Sequence, residues 1–292
     1  MAQIKARLPQ NIEGEFFVDS SCIDCDTCRQ IAPSVYARAD EIEQSYVVRQ
    51  PQSEAEKTRS LMALVACPTS SIGTVTRRNA RDAGRRFPEL VADNVYYCGF
   101  TSEASFGASS YLVQQPDCNV LVDSPRAAGP LVRRLRELGG VSRMLLTHRD
   151  DVADHASLRK VFGCERVLHR DEISARTRDV EVQLTGREPV SLDGDFLAIP
   201  VPGHTRGSVA YIYRRKFLFS GDHLWWSPNV GGLHASRRVC WYDWGEQTRS
   251  MELLLEFPFE WVLPGHGRRY QAPSPAIMRQ ELEQLVARMR EE

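Results

Sequence analysis

Short apolar runs separated by polar turns dominate the chain, and their period changes along it. In the first part, GEFFVDSS reads as a short strand, a cysteine-rich loop follows, and PSVYARAD and QSYVVRQ read as turn and strand. SEAEKTRSLMALVA reads as a helix, with Leu61, Leu64 and Val65 on one face. Ser53 stands as N-cap before Glu54 and Glu56, and Cys67-Pro68 stops the helix. The basic stretch TRRNARDAGRR, 76–86, lacks apolar periodicity and marks a boundary between a part spanning 1–84 and another spanning 85–292.

Beyond that boundary, short strands alternate with helices. VYYCGF, SSYLVQQ, NVLVDS, SRMLLTH, ERVLHR, DFLAIPV, VAYIYRR and KFLFSGD read as strands. GPLVRRLRELGG, ASLRKVFG, MELLLEF and the terminal AIMRQELEQLVARMREE read as helices, the first ended by glycine. No fixed-period repeat and no low-complexity tract occurs.

Composition adds exclusions. A chain of 292 residues, 42% hydrophobic and 26% charged, is that of a soluble globular protein with one large or two smaller domains. A net charge of −1 argues against nucleic acid or an anionic membrane as partner. Arg77, Arg78, Arg81, Arg85 and Arg86 read as a solvated linker face. The first residues have no signal-type apolar core and no run reaches membrane-span length, so a cytoplasmic location is expected. Eight cysteines in such a chain suggest metal ligation or buried thiols, not disulfides.

Spacing decides between those two. Cys22, Cys25 and Cys28 follow one another at Cys-x2-Cys intervals, and Cys67-Pro68 comes much later. Three thiolates so spaced wrap a loop around one face of a cluster, and a fourth arrives from a helix end. Zinc knuckles instead pair two short Cys-x-x-Cys hooks. The motif resembles the bacterial ferredoxins over about 14–75. Where the two-cluster form of that family has a further Cys-Pro, this chain has Ala32-Pro33, which implies a single cluster, most simply 4Fe-4S. Cys98, Cys118, Cys164 and Cys240 stand alone near strands and read as small buried hydrophobes.

A second set of metal-binding residue types lies just past apolar runs. His148 follows RMLLT, Asp154 and His155 come soon after, His204 sits in VPGHTRGS, Asp222 in FLFSGDH and His266 in WVLPGHG. Imidazoles and carboxylates converging at strand ends suit zinc, iron or manganese. LLTHRDDVADH, PGHTRGSVAYIY, LFSGDHL and LPGHG, in that order, resemble the metallo-β-lactamase superfamily over about 88–270, most closely its glyoxalase II-like hydrolase branch. The resemblance implies an αββα sandwich of two β-sheets flanked by helices, giving an α+β chain with the ferredoxin-like module first. It also implies one or two divalent ions: His148 and His204 on the first, Asp154, His155 and His266 on the second, and Asp222 bridging.

One departure affects the first site. The family shows His-x-His-x-Asp-His, whereas here Asp150 replaces the second histidine and two extra residues precede Asp154-His155. Either Asp150 or Asp151 supplies a carboxylate ligand, or the site holds a single ion. Oxygen in place of nitrogen moves the preference from zinc towards iron or manganese. His223 and His234 read as neighbours of the site, and His169 as structural. Trp225, Trp226, Trp241, Tyr242 and Trp244 overhang the site or pack in the core.

The leading expectation is a hydrolase of a small-molecule substrate, using metal-activated water oriented by Asp154. A serine hydrolase is unsupported, because no Gly-x-Ser-x-Gly elbow is present. The alternative is an iron-dependent oxidoreductase, resembling diiron oxygen or nitric oxide reductases or a sulfur dioxygenase, fed by the cluster and by a redox partner protein. A third reading is a non-catalytic redox sensor. Fold and ligands do not fix the reaction, and the oligomeric state is not legible in the sequence.

Overall fold

The computed structural model describes residues 1–193 and 195–292. It falls into two compact units, Met1–Ser142 with Ala153–Gly163, and Arg143–Val152 with Cys164–Glu292.

In the first unit, Phe16–Val18 pairs antiparallel with Ile72–Thr74, and Tyr36–Ala39 with Gln44–Val47. One side chain joins these ribbons. The Asn11 amide donates to the carbonyls of Leu8 and Val18, both at 2.8 Å, and accepts from the N–H groups of Val18 (3.0 Å) and Val47 (2.9 Å). Buried polar groups need such complete pairing.

Helix Glu54–Ala66 begins where expected, the Ser53 hydroxyl accepting the Glu56 N–H at 3.2 Å. Its buried face differs from the expected one: Ser60, Met62, Ala63 and Ala66 face the core, while Leu61, Leu64 and Val65 are half-buried. Small Ser and Ala side chains let the helix approach its neighbours closely, so hydrophobicity alone misassigns the face. A further helical turn, Arg81–Gly84, occurs within the basic stretch, with Ala83 and Gly84 buried and the arginines outward.

The unit continues with antiparallel strands Glu89–Ala92, Val95–Tyr97, Tyr111–Val113 and Val120–Val122, each paired with the next. Helix Gly129–Glu137 buries Leu131, Val132 and Leu135. Helix His155–Phe162 ends at Gly163, whose φ of +72° is the left-handed cap glycine favours.

The second unit holds parallel strands Arg143–Leu145, Glu165–His169 and Val182–Leu184. It also holds a six-stranded sheet in the order Val190–Ser191, Phe196–Pro200, Val209–Tyr213, Phe217–Gly221, Trp261–Pro264 and Tyr270–Gln271. Every residue of Val209–Tyr213 and Phe217–Gly221 is buried, as expected of central strands covered on both faces. Ile199, Ala210, Ile212 and Leu218 form a core with Met251 and Leu254 of helix Trp244–Leu254 and with Leu282 and Leu285 of helix Pro275–Glu291. Helix Trp244–Leu254 starts well before MELLLEF because the Asp243 carboxylate accepts the Glu246 N–H at 2.7 Å.

Strand ends position the chemistry. Phe217–Gly221 and Trp261–Pro264 run parallel with Gly221 opposite Pro264, so Asp222 and His266 leave the sheet at the same end. Among the described residues, no helix is long and apolar enough to cross a membrane.

Candidate functional site

Cys22, Cys25, Cys28 and Cys67 line one cavity of the first unit, walled by Val18, Ile23 and Ile72. The loop reaches this arrangement through Asp24 and Asp26, both in left-handed backbone (φ 58° and 63°). Arg29 fixes the loop, its guanidinium binding Asp24 at 2.6 Å, Asp26 at 2.5 Å and the Ser45 hydroxyl at 2.5 Å. Polar groups meet the sulfurs: the Ser45 N–H donates to Cys22 Sγ at 3.4 Å, the Cys25 thiol donates to the Thr27 hydroxyl oxygen at 3.4 Å, and the Ser71 hydroxyl lies 3.3 Å from Cys67 Sγ.

Among the described residues no cysteine forms a disulfide. Burial pushes the Cys25 thiol up to about 11 and the Cys28 thiol well above its ordinary value. Four thiols on one cavity, with the Ser45 N–H donating to one of the sulfurs, are a set that fits an iron–sulfur cluster. Of the other cysteines, Cys98 and Cys164 are buried as expected, whereas Cys118 and Cys240 are only half-buried.

A loop after strand Val95–Tyr97 closes over the cysteines. Gly107 has φ +84°, and a Cβ there would lie 2.5 Å from Cys25 Cβ and 2.9 Å from its sulfur. Only glycine fits this approach. The Thr27 hydroxyl donates to the Gly107 carbonyl at 3.4 Å.

In the second unit, ligand atoms of His148, Asp150 and His204 lie within 4.8 Å of one another, and so do those of His148, Asp151 and Asp222. His204 Nδ1 lies 2.5 Å from the Val239 carbonyl and therefore carries the proton, leaving Nε2 as a lone-pair donor. That Nε2 is 3.9 Å from Asp150 Oδ2 and 3.9 Å from Asp222 Oδ2. His148 Nδ1 meets the Thr147 hydroxyl at 3.0 Å, and its Nε2 is 3.8 Å from Asp222 Oδ2. His266 Nδ1 is 2.8 Å from both Asp222 oxygens.

Both His148 Nε2 and His204 Nε2 are buried without a hydrogen-bond partner among the described residues. Orphaned lone pairs beside several carboxylates fit a divalent ion. Electrostatics agree. Burial pushes His148 down to about 3, so it is neutral and able to ligate. Burial acts against the Asp222 charge, yet His266, whose Nδ1 touches both its oxygens, holds its pKa far below the ordinary carboxylate range. The Asp150 carboxyl is raised by partial burial, with His204 and Arg149 opposing.

Asp154 and His155 belong to neither group and lie in the first unit, where Asp154 Oδ2 accepts the Ala127 N–H at 2.8 Å. Glu172 belongs to no motif in the sequence. Its carboxylate, fully buried, accepts the Arg149 N–H (2.9 Å), Arg149 Nε (3.1 Å) and the Gly207 N–H (2.7 Å). It thereby fixes the loops carrying Asp150 and His204, and nothing in the string RDEIS signals this. His223 is buried near the site, with both ring nitrogens lacking a hydrogen-bond partner among the described residues. His169 is structural: Nε2 meets the Gly186 carbonyl at 3.1 Å and Nδ1 accepts the Asp171 N–H at 3.2 Å. His234 packs edge-on against Trp225, with centroids 5.3 Å apart.

The aromatics divide. Trp241 and Tyr242 line a cleft with Arg149, Asp150, Thr205 and Arg206. Trp226 stacks on Tyr270 at 4.1 Å, and Trp244 Nε1 donates to the Met289 carbonyl at 3.2 Å, so both serve packing.

Comparison with known proteins bears on both parts of the chain. Residues 18–74 match the 4Fe-4S single cluster domain of Ferredoxin I. The chain is 26% identical over 216 residues to the uncharacterized protein YobT of Bacillus subtilis, covering 62% of this chain and 91% of that one. It is 32% identical over 120 residues to a hydroxyacylglutathione hydrolase of Synechococcus, covering 39% of this chain and 48% of the relative, so about half of that hydrolase's length is matched. A metallo-β-lactamase family protein of Thermus thermophilus superposes with a TM-score of 0.50 at 21% identity, over 69% of this chain and 81% of that one. The chain carries an N-terminal 4Fe-4S ferredoxin domain and the metallo-β-lactamase fold.

Proposed function

We propose that this chain, a single-cluster ferredoxin domain joined to a metallo-β-lactamase fold, is a metal-dependent hydrolase acting on a small ester or thioester. The observation that carries the reading is the convergence of His148, Asp150 and His204, with two buried Nε2 lone pairs lacking partners among the described residues. His148, Asp150 and His204 would hold one ion; Asp151, Asp222 and His266 are the remaining donors. A divalent ion there supplies a water acidic enough to ionise near neutral pH and polarises the carbonyl under attack.

The chain's own groups do the rest. Thr147 and Val239 fix the two imidazoles so that Nε2 faces inward. Glu172 holds the Arg149 and Gly207 backbones in register. Trp241 and Tyr242 offer an apolar wall beside Asp150, and Arg149 and Arg206 lend the cleft cationic edges suited to an anionic substrate. Because one relative is named a hydroxyacylglutathione hydrolase, hydroxyacylglutathione thioesters are the first substrates to assay. Metal-dependent hydrolysis lost in His204→Ala supports the reading; no turnover of any ester or thioester by protein with its full metal complement contradicts it.

One observation favours a second reading. Asp150 stands in the first group where an imidazole is the usual donor, and a harder donor favours iron over zinc. On that reading the enzyme is an oxidoreductase, and its second centre carries redox-active iron.

A further inference from the structure

Helix Glu54–Ala66 delivers Cys67 and ends inside the protein, so its last carbonyls require partners. Thr101 takes the Ala66 carbonyl with both its N–H (3.2 Å) and its hydroxyl (2.8 Å). Arg126 takes the Val65 carbonyl, Nη2 donating at 2.9 Å. A guanidinium at a helix C-terminus also meets the negative end of the helix dipole, a favourable interaction.

Arg126 is unusual among the cations of this unit. It is half-buried, its carbon skeleton ends 6.0 Å over the Phe100 ring, and its Nε is buried without a hydrogen-bond partner among the described residues. Among those residues it forms no ion pair, whereas Arg29, the other cation near the cysteines, is neutralised by Asp24 and Asp26. Burial lowers the Arg126 pKa, and the two anionic fields that oppose this come from Cys67 and Asp154. The neighbouring peptide carries the second link, for the Ala127 N–H donates to Asp154 Oδ2 at 2.8 Å.

We propose that Arg126 is a positioning residue that sets the reduction potential of the cluster held by Cys67 and makes that potential answer to the charge on Asp154. One electron entering from an external reductant adds a unit of negative charge among the sulfurs and breaks no bond in the chain. A partly desolvated cation beside Cys67 that forms no ion pair among the described residues favours the reduced state, since charge interactions strengthen as water is excluded. Asp154, drawing on the same cation, opposes it. The inference rests on the cluster alone and stands whichever reaction the second centre performs.

The test is a dithionite titration of the full chain, purified anaerobically and followed by paramagnetic resonance, with iron and sulfide measured on each sample. Arg126→Met should disfavour reduction about tenfold, a fall of ~59 mV for one electron. Arg126→Lys, which keeps the charge, should stay near wild type, and Asp154→Asn should shift the potential upward. Unchanged potentials in Arg126→Met and Asp154→Asn at full iron and sulfide content would overturn the proposal. So would an Arg126→Lys potential as low as that of Arg126→Met, because the lost Val65 contact would then be the cause. Should Arg126→Met fail to retain iron, Asp154→Asn decides: a higher potential supports the coupling, and an unmoved one overturns it.

Discussion

His204 Nδ1 lies 2.5 Å from the carbonyl oxygen of Val239, so the opposite nitrogen, 3.9 Å from Asp150 and from Asp222, is left as a bare lone pair in a buried site. Main-chain acceptors that lock an imidazole in this way are part of a metal site as much as the ligands are.

Glu172 extends that principle. Its buried carboxylate gathers the Arg149 and Gly207 backbones, one residue from Asp150 and three from His204. Glu172→Gln keeps the shape and loses the charge that Arg149 requires. Metal affinity at the second centre should fall about tenfold to a hundredfold, while cluster iron and sulfide stay at wild-type levels. Competition with a chromophoric chelator measures the first quantity and elemental analysis the second.

Gly107 should be intolerant of a side chain. Gly107→Ala combines left-handed strain of about 1–3 kcal/mol with a Cβ 2.5 Å from Cys25 Cβ, and should reduce the cluster absorbance per chain. Gly186→Ala is the control. Its φ of +85° matches, but nothing lies within 4 Å of the added Cβ, so cluster content should not change.

The cap of the helix leading to Cys67 has a pH signature. Glu56 Oε2 accepts the Gln52 N–H at 2.7 Å and its Oε1 pairs with Arg49, which lowers its pKa to about 2. A carboxylate depressed in the folded state contributes stability that is complete above its unfolded value of 4.5 and fades as pH falls from there through about 2. A carboxyl resonance of Glu56 should therefore titrate far below its neighbours, and Arg49→Ala should raise its midpoint. Separately, Ser53→Ala should destabilise the helix by about 1 kcal/mol in thermal unfolding.

Much of this architecture was legible in the sequence because its signals are local. The triple-cysteine spacing, the helix capped by Ser53 and the apolar runs before His148, Asp222 and His266 are written in neighbouring residues. What stayed hidden depends on residues distant in sequence. The string DDVADH offers three carboxylates, and the backbone path decides among them: Ala153 sits at positive φ, Asp151 joins His148 and Asp222, and Asp154 turns to the Ala127 amide. Glu172 and Arg126 act through carbonyls and amides far along the chain, which no periodicity or motif records.

Metal analysis of anaerobically purified wild-type protein and Asp222→Asn decides whether a hydrolytic metal centre exists separately from the cluster. Iron, sulfide, zinc and manganese would be counted per chain, with paramagnetic resonance before and after dithionite. Iron should equal sulfide in both proteins, and the wild type should hold at least one further redox-silent divalent ion that is depleted in the variant. Iron in excess of sulfide, with a second resonance that changes on reduction and vanishes in Asp222→Asn, would contradict hydrolysis and establish the centre as a redox site.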